Sequence, residues 1–314
     1  MRRYLFLSFC LFVYLLEVFS ISPARSQRRP NLDKQLIAAV REGHTRSVVN
    51  LLKQGANPNA QYTTTWLDVD TPKEITVPIL TVSLGWFPPF SGCFESIMMA
   101  ARRKTMVNTE IVRALCDGGA TIGGAEDEDQ DPILYAIRHC NLEVVKLLWS
   151  RKSKLSFSQA RYLIEAAKAV CPDTVNFLVE NIKDVNQRNE QGQTALIAIA
   201  SIGPMFEGDR GNQVMIEENL LQHGAQVNLQ DKDGMTALMW AASYQNETSV
   251  RLLLRYNPAL DLHDNGSRVL HISGGIVRLV APTLGGRTAL DWAHGEPTIE
   301  RLLKMAAIRR HPQD

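Results

Sequence analysis

The sequence predicts an all-α repeat solenoid, first because three segments are nearly the same. Residues 191–196 (QGQTAL), 233–238 (DGMTAL) and 286–290 (GRTAL) each place a glycine shortly before a Thr-Ala-Leu helix start. An Asp/Gln-Val-Asn triplet precedes the first two copies, at residues 184–186 and 226–228. Internal repetition is the first signal to consider when a fold is predicted, because it identifies a repeat architecture. Each copy then folds as one supersecondary unit that must stack on its neighbours.

The second reason is a pair of short amphipathic helices in residues 131–148. Asp131 is a good N-cap, and Pro132 suits the first helical turn, where its missing N–H costs nothing. Apolar residues recur at three- and four-residue spacing in both halves of the segment. The short break between the halves makes the two helices antiparallel neighbours. Such a unit cannot bury its apolar face alone and needs stacked copies on either side.

The third reason is the period of the copies. The first helix of each unit is marked by Lys34, Glu95, Asp131, Arg161, Thr194, Thr236 and Thr288. Three of the intervals between these markers lie close to a repeat of about 33 residues, and the longer ones indicate insertions.

These units resemble ankyrin repeats over nearly all of residues 31–306. The resemblance rests on the Thr-Ala-Leu copies, on Glu-Val-Val-Lys-Leu-Leu at 143–148, and on Gly-Ala turn entries at 55–59, 119–120 and 224–228. It implies about seven stacked helix-turn-helix units with inserted β-hairpin fingers, and protein–protein recognition as the usual function.

One feature departs from the family pattern. The family usually has a histidine in the fourth position of its Thr-Pro-Leu-His tetrapeptide, where it ties neighbouring repeats together. Here those positions are Ile37, Met98, Leu134, Ile164, Ile197, Met239 and Asp291. We therefore expect polar ties between repeats to be largely absent and stacking to rest on apolar contacts.

Three insertions interrupt the repeats, at residues 61–94, 202–213 and 264–286. In the first, residues 74–77 and 79–84 are rich in β-forming residues, and residues 85–90 form an aromatic-proline tip. The third contains a hairpin signal around Ser-Gly-Gly at 273–275. The second is expected to widen the turn between the helices of repeat five. Both β fingers should project on one side of the solenoid, beside a concave groove.

The fingers supply the candidate protein-binding residues. Exposed aromatic side chains give much contact area at a low entropy cost. The alternative, that these aromatics fold back and cover the solenoid, stays open. The candidates are Trp66, Trp86, Phe87, Phe90, Asp233 and Arg278.

The N-terminal segment has the three-part layout of a secretory signal peptide. Arg2 and Arg3 precede an apolar run at 4–19, and Ala-Arg-Ser at 24–26 is a suitable cleavage site. The run is shorter than the ~20 residues that span a membrane and contains Glu17. We therefore expect a signal peptide at 1–26, a solenoid at 27–306, a tail at 307–314, and no stable membrane span after cleavage.

No sequence motif predicts catalytic, cofactor-binding or metal-binding residues. Classical nucleophile, phosphate-loop and metalloprotease patterns are missing. His263 and His271 lie near two aspartates, but their spacing fits no known ligand pattern. Tyr135, Trp240 and Trp292 share one repeat position, which favours core packing over a ligand site. A net charge of +1 argues against nucleic-acid binding.

The four cysteines beyond the predicted signal peptide leave two interpretations open. An even number in an exported chain permits two disulfides, but buried thiols fit equally well. They are Cys93, Cys116, Cys140 and Cys171.

Taken together, these features predict a non-enzymatic interaction module of an exported protein, periplasmic or secreted, that binds another protein through its groove and fingers. One alternative is a structural or protective accessory to another exported protein. An enzyme that uses the insertions is the remaining alternative.

Overall fold

A computed structural model describes most of the chain beyond its N-terminal segment. The described residues are 32–67, 72–83, 108–122, 131–151, 158–203, 209–266, 270–273, 276–279 and 286–310. Among them, no helix is both long and apolar enough to cross a membrane.

The described residues form seven helix pairs, which match the seven predicted repeats. In chain order the pairs are α1 Leu32–Arg41 and α2 Thr45–Lys53; α3 Ile79–Ser83 and α4 Thr109–Asp117; α5 Pro132–Arg138 and α6 Leu142–Arg151; α7 Gln159–Lys168 and α8 Pro172–Asn181; α9 Ala195–Ala200 and α10 Asp209–Gln222; α11 Ala237–Ser243 and α12 Glu247–Leu254; α13 Ala289–Trp292 and α14 Pro297–Arg310.

The pairs stack in chain order, with first helices in one row and second helices in another. Each first helix contacts the next first helix, from α1 through α13, and each second helix contacts the next, from α2 through α14. A single apolar core runs through the stack, from Leu36 to Leu303. The predicted all-α repeat solenoid is therefore confirmed.

Four of the seven predicted markers share one structural register. A residue in the left-handed conformation ends the first helix nine positions after the marker in repeats one, three, four and six. These residues are Gly43, Cys140, Val170 and Gln245. In repeats one and four the first helix begins earlier than its marker: α1 starts at Leu32, and α7 is capped by Ser158, whose side chain accepts from the Arg161 N–H.

Repeat two corrects the sequence prediction. Residues 79–84 were predicted as a strand, but Ile79–Ser83 is the short helix α3, which contacts α1, α4 and α5. It takes the first-helix place of repeat two, with Ile79 and Leu80 buried. The predicted marker Glu95 and its neighbour Met98 lie outside the described residues.

Two antiparallel hairpins accompany the helices. Strand β1, Gln61–Leu67, pairs with β2, Pro72–Pro78, in a register that sets Gln61 opposite Pro78. Strand β3, Leu270–Ser273, pairs with β4, Ile276–Leu279, in a register that sets Leu270 opposite Leu279. The first hairpin ends where α3 begins, so the described hairpin occupies residues 61–78 of the predicted insertion at 61–94, and residues 84–94 lie outside the described part of the chain.

Two other predicted segments overlap helices of the structure. The insertion at 202–213 does separate the two helices of repeat five, but its second half belongs to α10, which begins at Asp209. The last helix, α14, continues to Arg310 and so enters the segment predicted as a tail.

Polar ties between repeats are present, contrary to the expectation drawn from the missing histidines. Asn186 accepts from the Gln226 N–H at 2.7 Å and donates to the Gly224 carbonyl at 3.0 Å. Asn59 makes the same two contacts, with Thr121 and Gly119. These ties lie at an asparagine of the turn that follows a second helix, and not at the start of a first helix. Each asparagine connects the turn after the second helix of one repeat to the turn after the second helix of the next repeat.

A disulfide joins repeats three and four. Cys140 at the end of α5 bonds to Cys171 at the start of α8, with their Cα atoms 5.4 Å apart. Cys116 is a half-buried free thiol, and burial raises its pKa to about 11. Cys93 lies outside the described residues. One of the two disulfides that the cysteine count permits is thus formed.

Candidate functional site

Three hairpin turns between the helix pairs of repeats four to seven share one construction. In each turn, one side-chain oxygen accepts two backbone N–H groups, which closes the turn as an Asx turn does. The acceptors, with their donors, are Asn189 Oδ1 (Gln191 at 3.0 Å and Gln193 at 2.8 Å), Asp231 Oδ1 (Asp233 at 3.0 Å and Met235 at 2.9 Å) and Asp264 Oδ1 (Gly266 and Arg287, both at 2.9 Å). We call these three turns the turn ladder.

Backbone hydrogen bonds connect the turns to one another. The Lys232 N–H donates to the Gln191 carbonyl at 3.0 Å, and the Asn265 N–H donates to the Asp233 carbonyl at 2.8 Å. The Asn265 side chain also donates to the Lys232 carbonyl at 2.7 Å. The exposed turn tips are therefore fixed relative to one another by main-chain contacts and need not be ordered when a partner binds.

Glycine is required where consecutive turns meet. Gly234 has φ +75°, and a Cβ atom there would lie 2.7 Å from the Asn265 backbone nitrogen. A side chain would meet both the left-handed backbone and this close approach. The glycines that precede the first two Thr-Ala-Leu copies, Gly192 and Gly234, are thus part of the contact between turns.

The second oxygen of the turn aspartates holds an aromatic residue of the following helix. Trp240 Nε1 donates to Asp231 Oδ2 at 2.8 Å, and Trp292 Nε1 donates to Asp264 Oδ2 at 3.0 Å. Burial raises the pKa of the Asp231 carboxyl, while its hydrogen bond from Trp240 lowers it. Both tryptophans also pack in or against the apolar core, as their shared repeat position predicted, and so they connect the ladder to it.

The last turn carries the second finger. Residues 267–285 lie between Gly266 and Gly286, and the N–H groups on either side, of Gly266 and Arg287, bind the same Asp264 oxygen. The hairpin of β3 and β4 therefore extends from a turn that keeps its usual geometry at its base. Candidate residue Arg278 belongs to β4, where it pairs with His271.

The first finger is attached at a different place. The Ile79 N–H donates to the Ala60 carbonyl at 3.0 Å, which closes the base of the hairpin of β1 and β2. The Arg41 guanidinium lies 4.9 Å from the centre of the Tyr62 ring and ties the hairpin to α1. Candidate residue Trp66 lies in β1 opposite Lys73. Candidates Trp86, Phe87 and Phe90 lie outside the described residues.

The structure brings together only part of the predicted site. Asp233 is exposed at a turn tip, next to Asn265 and the base of the second finger. Sequence reasoning missed Asn189, Asp264 and Asn265. The signal that could have found the first is an Asn or Asp three residues before a glycine, seen at 189–192 and 231–234. In the third turn the insertion interrupts that spacing.

The described residues offer no cluster of three or more His, Cys, Asp or Glu side chains that could hold a metal ion. Of the residues considered as ligands, Asp264 already accepts from two N–H groups and from Trp292. The described surface at the ladder consists instead of backbone turns with the exposed residues Gln191, Lys232, Asp233 and Asn265 at their tips.

Comparison with protein families identifies the class of protein that this architecture represents. A model described as ankyrin repeats (3 copies) matches residues 163–264 and 209–311, and a model of the single ankyrin repeat matches residues 36–62. Together these matches span more than half of the chain. The chain belongs to the ankyrin-repeat family, whose repeats generally mediate protein–protein interaction.

Related sequences share the repeats but are much longer proteins. An ankyrin repeat and KH domain-containing protein of Caenorhabditis briggsae is 28% identical over 46% of this chain and 5% of its own length. A putative ankyrin repeat protein of Acanthamoeba polyphaga mimivirus is 35% identical over 25% of this chain and 17% of its own. The chain thus spans only a small part of these relatives.

Solved structures show the same fold. The human ASB11 ankyrin repeat domain has a TM-score of 0.58 at 20% identity, covering 89% of this chain and 98% of that one. The ankyrin repeat domain of Bcl-3, a member of the IkappaB protein family, has a TM-score of 0.54 at 19% identity, with coverage of 86% and 97%.

Proposed function

We propose that this chain is a non-enzymatic binding module of an exported protein, and that it binds another protein through the turn ladder and the two fingers. The observation that carries the proposal is the ladder itself. Its exposed tips at Gln191, Lys232, Asp233 and Asn265 are held in fixed positions by main-chain hydrogen bonds.

A prearranged surface suits binding because little conformational entropy is lost when the partner docks. In this protein one of the long insertions, at 264–286, also falls at that surface. The second finger enters through one ladder turn without changing the hydrogen bonds at its base. Variable length on a constant frame favours recognition of a particular partner.

Export is supported by two independent features. The N-terminal segment at 1–26 has the layout of a cleaved signal peptide. The disulfide between Cys140 and Cys171 is of the kind that forms and persists in oxidising compartments. We expect fractionation to find the chain in the periplasm or the medium, with Gln27 as its first residue on N-terminal sequencing. A cytosolic chain with an intact N-terminus would contradict export.

The binding surface is tested by site-specific photo-crosslinking in the native compartment. A photo-reactive amino acid in place of Asp233, at the ladder, should yield a discrete crosslinked partner. The same residue in place of Glu143, exposed on helix α6 in the other row, serves as the matched control and should yield none.

The outcome decides between surfaces. A partner captured from position 143 but not from position 233 would place recognition on the second helices and contradict the proposal. Equal capture from both positions would show that the ladder has no special role.

A further inference from the structure

Repeat five carries a carboxylic acid where five of the other six repeats carry valine. In the second helix of five repeats, a fully buried valine precedes a buried leucine by three residues. These valines are Val48, Val112, Val145, Val175 and Val250. In repeat five the buried leucine is Leu220, and the residue three positions before it is Glu217.

Glu217 is as completely buried as the valines. Its side chain lies between α10 and α12, where Oε1 accepts the Ser249 hydroxyl at 2.8 Å. Oε2 is buried and has no hydrogen-bond partner among the described residues. A further polar contact lies along the same pair of helices, since Asn246 donates to Gln213 at 3.1 Å.

A charged carboxylate is poorly accommodated in this place. Burial raises the pKa of Glu217 from its ordinary value of 4.5 to about 8, and only the Ser249 hydrogen bond acts in the opposite direction. An ionised group in an apolar interior loses its hydration without compensation, so the neutral acid is the form that fits.

Among the side chains that the structure describes in the packed helices, no cation offsets a negative charge on Glu217. Helix α9 has no charged residue, and Asp173 and Glu180 of α8 are exposed. On α12, the Arg251 guanidinium lies 2.6 Å from the Glu247 carboxylate; Arg251 is exposed and Glu247 is half-buried. On helix α10 itself, Glu218 is not among the causes of the raised pKa of Glu217.

We propose that Glu217 makes the seam between repeats five and six, defined as the contact of α10 with α12, a pH-sensitive joint that is closed when the acid is protonated and loosens when it ionises. The hydrogen bond from the Lys232 N–H to the Gln191 carbonyl connects the two ladder turns that lie before and after repeat five. Loosening the seam therefore changes the relative placement of the exposed tips as well as the stability of the stack.

The direction of the pH dependence follows from proton linkage. Because the pKa is higher in the folded than in the unfolded chain, the folded chain holds its proton more tightly. The contribution of Glu217 to stability is full below about pH 4.5, is lost progressively as pH rises to about 8, and changes no further above that. Acidic conditions close the joint.

The experiment compares thermal unfolding midpoints at pH 5, 7 and 9 for the wild type and variants. Glu217→Gln, which is neutral, and Glu217→Val, which introduces the valine found in five other repeats, both remove the group that titrates. We expect the wild-type midpoint to fall between pH 5 and 9 by at least roughly 3 °C more than that of either variant. Glu218→Gln, one residue along the same helix, is the matched control and should follow the wild type.

Hydrogen exchange compared between wild type and Glu217→Gln at one pH locates the effect. At pH 9 the amides of α10 and α12 should exchange faster in the wild type, while those of α6 should not differ. Parallel midpoint curves for wild type and Glu217→Gln would overturn the proposal. If Glu217→Gln does not fold, the same comparison with Glu217→Val decides it. Neither result depends on whether the chain binds a partner.

Discussion

Repeats three and four are joined in a different way from repeats five to seven. Between three and four the described contacts come from side chains: the disulfide of Cys140 with Cys171, and the Tyr162 hydroxyl that donates to Asp131 at 2.9 Å. Between five and seven the turn ladder adds main-chain bonds. The comparison teaches that one fold can hold neighbouring repeats in register either by a few specific side chains or by a repeated backbone contact.

The largest expected effect tests the side-chain junction. Replacing both cysteines, Cys140→Ser with Cys171→Ser, opens a loop set by a sequence separation of 31. Chain-entropy arguments give a loss of about 3–4 kcal/mol in the free energy of unfolding. Urea unfolding of wild type and double variant measures it, with the free-thiol variant Cys116→Ser as control. A loss no larger than the control's would show that the other contacts suffice.

The next effect tests the backbone junction. Asp231→Ala removes the acceptor of two turn N–H groups and of Trp240 Nε1 at a buried site. Leaving buried donors without partners should cost roughly 2–3 kcal/mol. The same urea measurement applies, and Asp233→Ala, which alters an exposed side chain two residues away, should be nearly silent. Similar losses for the two variants would mean that the ladder is not held by its aspartates.

The smallest effect concerns the contact between turns. Gly234→Val sets a β-branched side chain at φ +75° and against the Asn265 backbone. We expect a loss of about 1–2 kcal/mol, because a left-handed backbone and a close contact are both unfavourable for valine. Gly211→Val is a control without a crowded Cβ position. An unchanged melting temperature for Gly234→Val would contradict the turn geometry.

The repeats could be predicted because their signals are local. The caps Asp131, Thr194 and Thr236 each bind backbone N–H groups of the helix that they were expected to start. Residues 79–83 were misassigned because Ile, Val and Thr favour strands when read alone, whereas here packing against α1 and α5 selects a helix. Tertiary context overrode local preference in that segment.

The site was less predictable than the fold for a related reason. Asp264 and Arg287 are brought together only because the third turn closes across an insertion, which spacing along the chain conceals. Glu217 reads as an ordinary charge on an amphipathic helix until its register against Val250 and the other valines is known. Contacts that depend on the alignment of whole repeats are not visible in one segment.

Asp264 accepts hydrogen bonds from backbone N–H groups on both sides of residues 267–285, and this arrangement has a practical consequence for engineering. Because the residues that flank this segment bind the same carboxylate, the chain leaves and re-enters the stack of repeats at nearly the same point. Exposed sites of that kind tolerate insertions because the backbone bonds on either side are kept. The last turn is therefore a suitable insertion site for a foreign peptide or a small domain. We expect the six repeats before it to keep their structure.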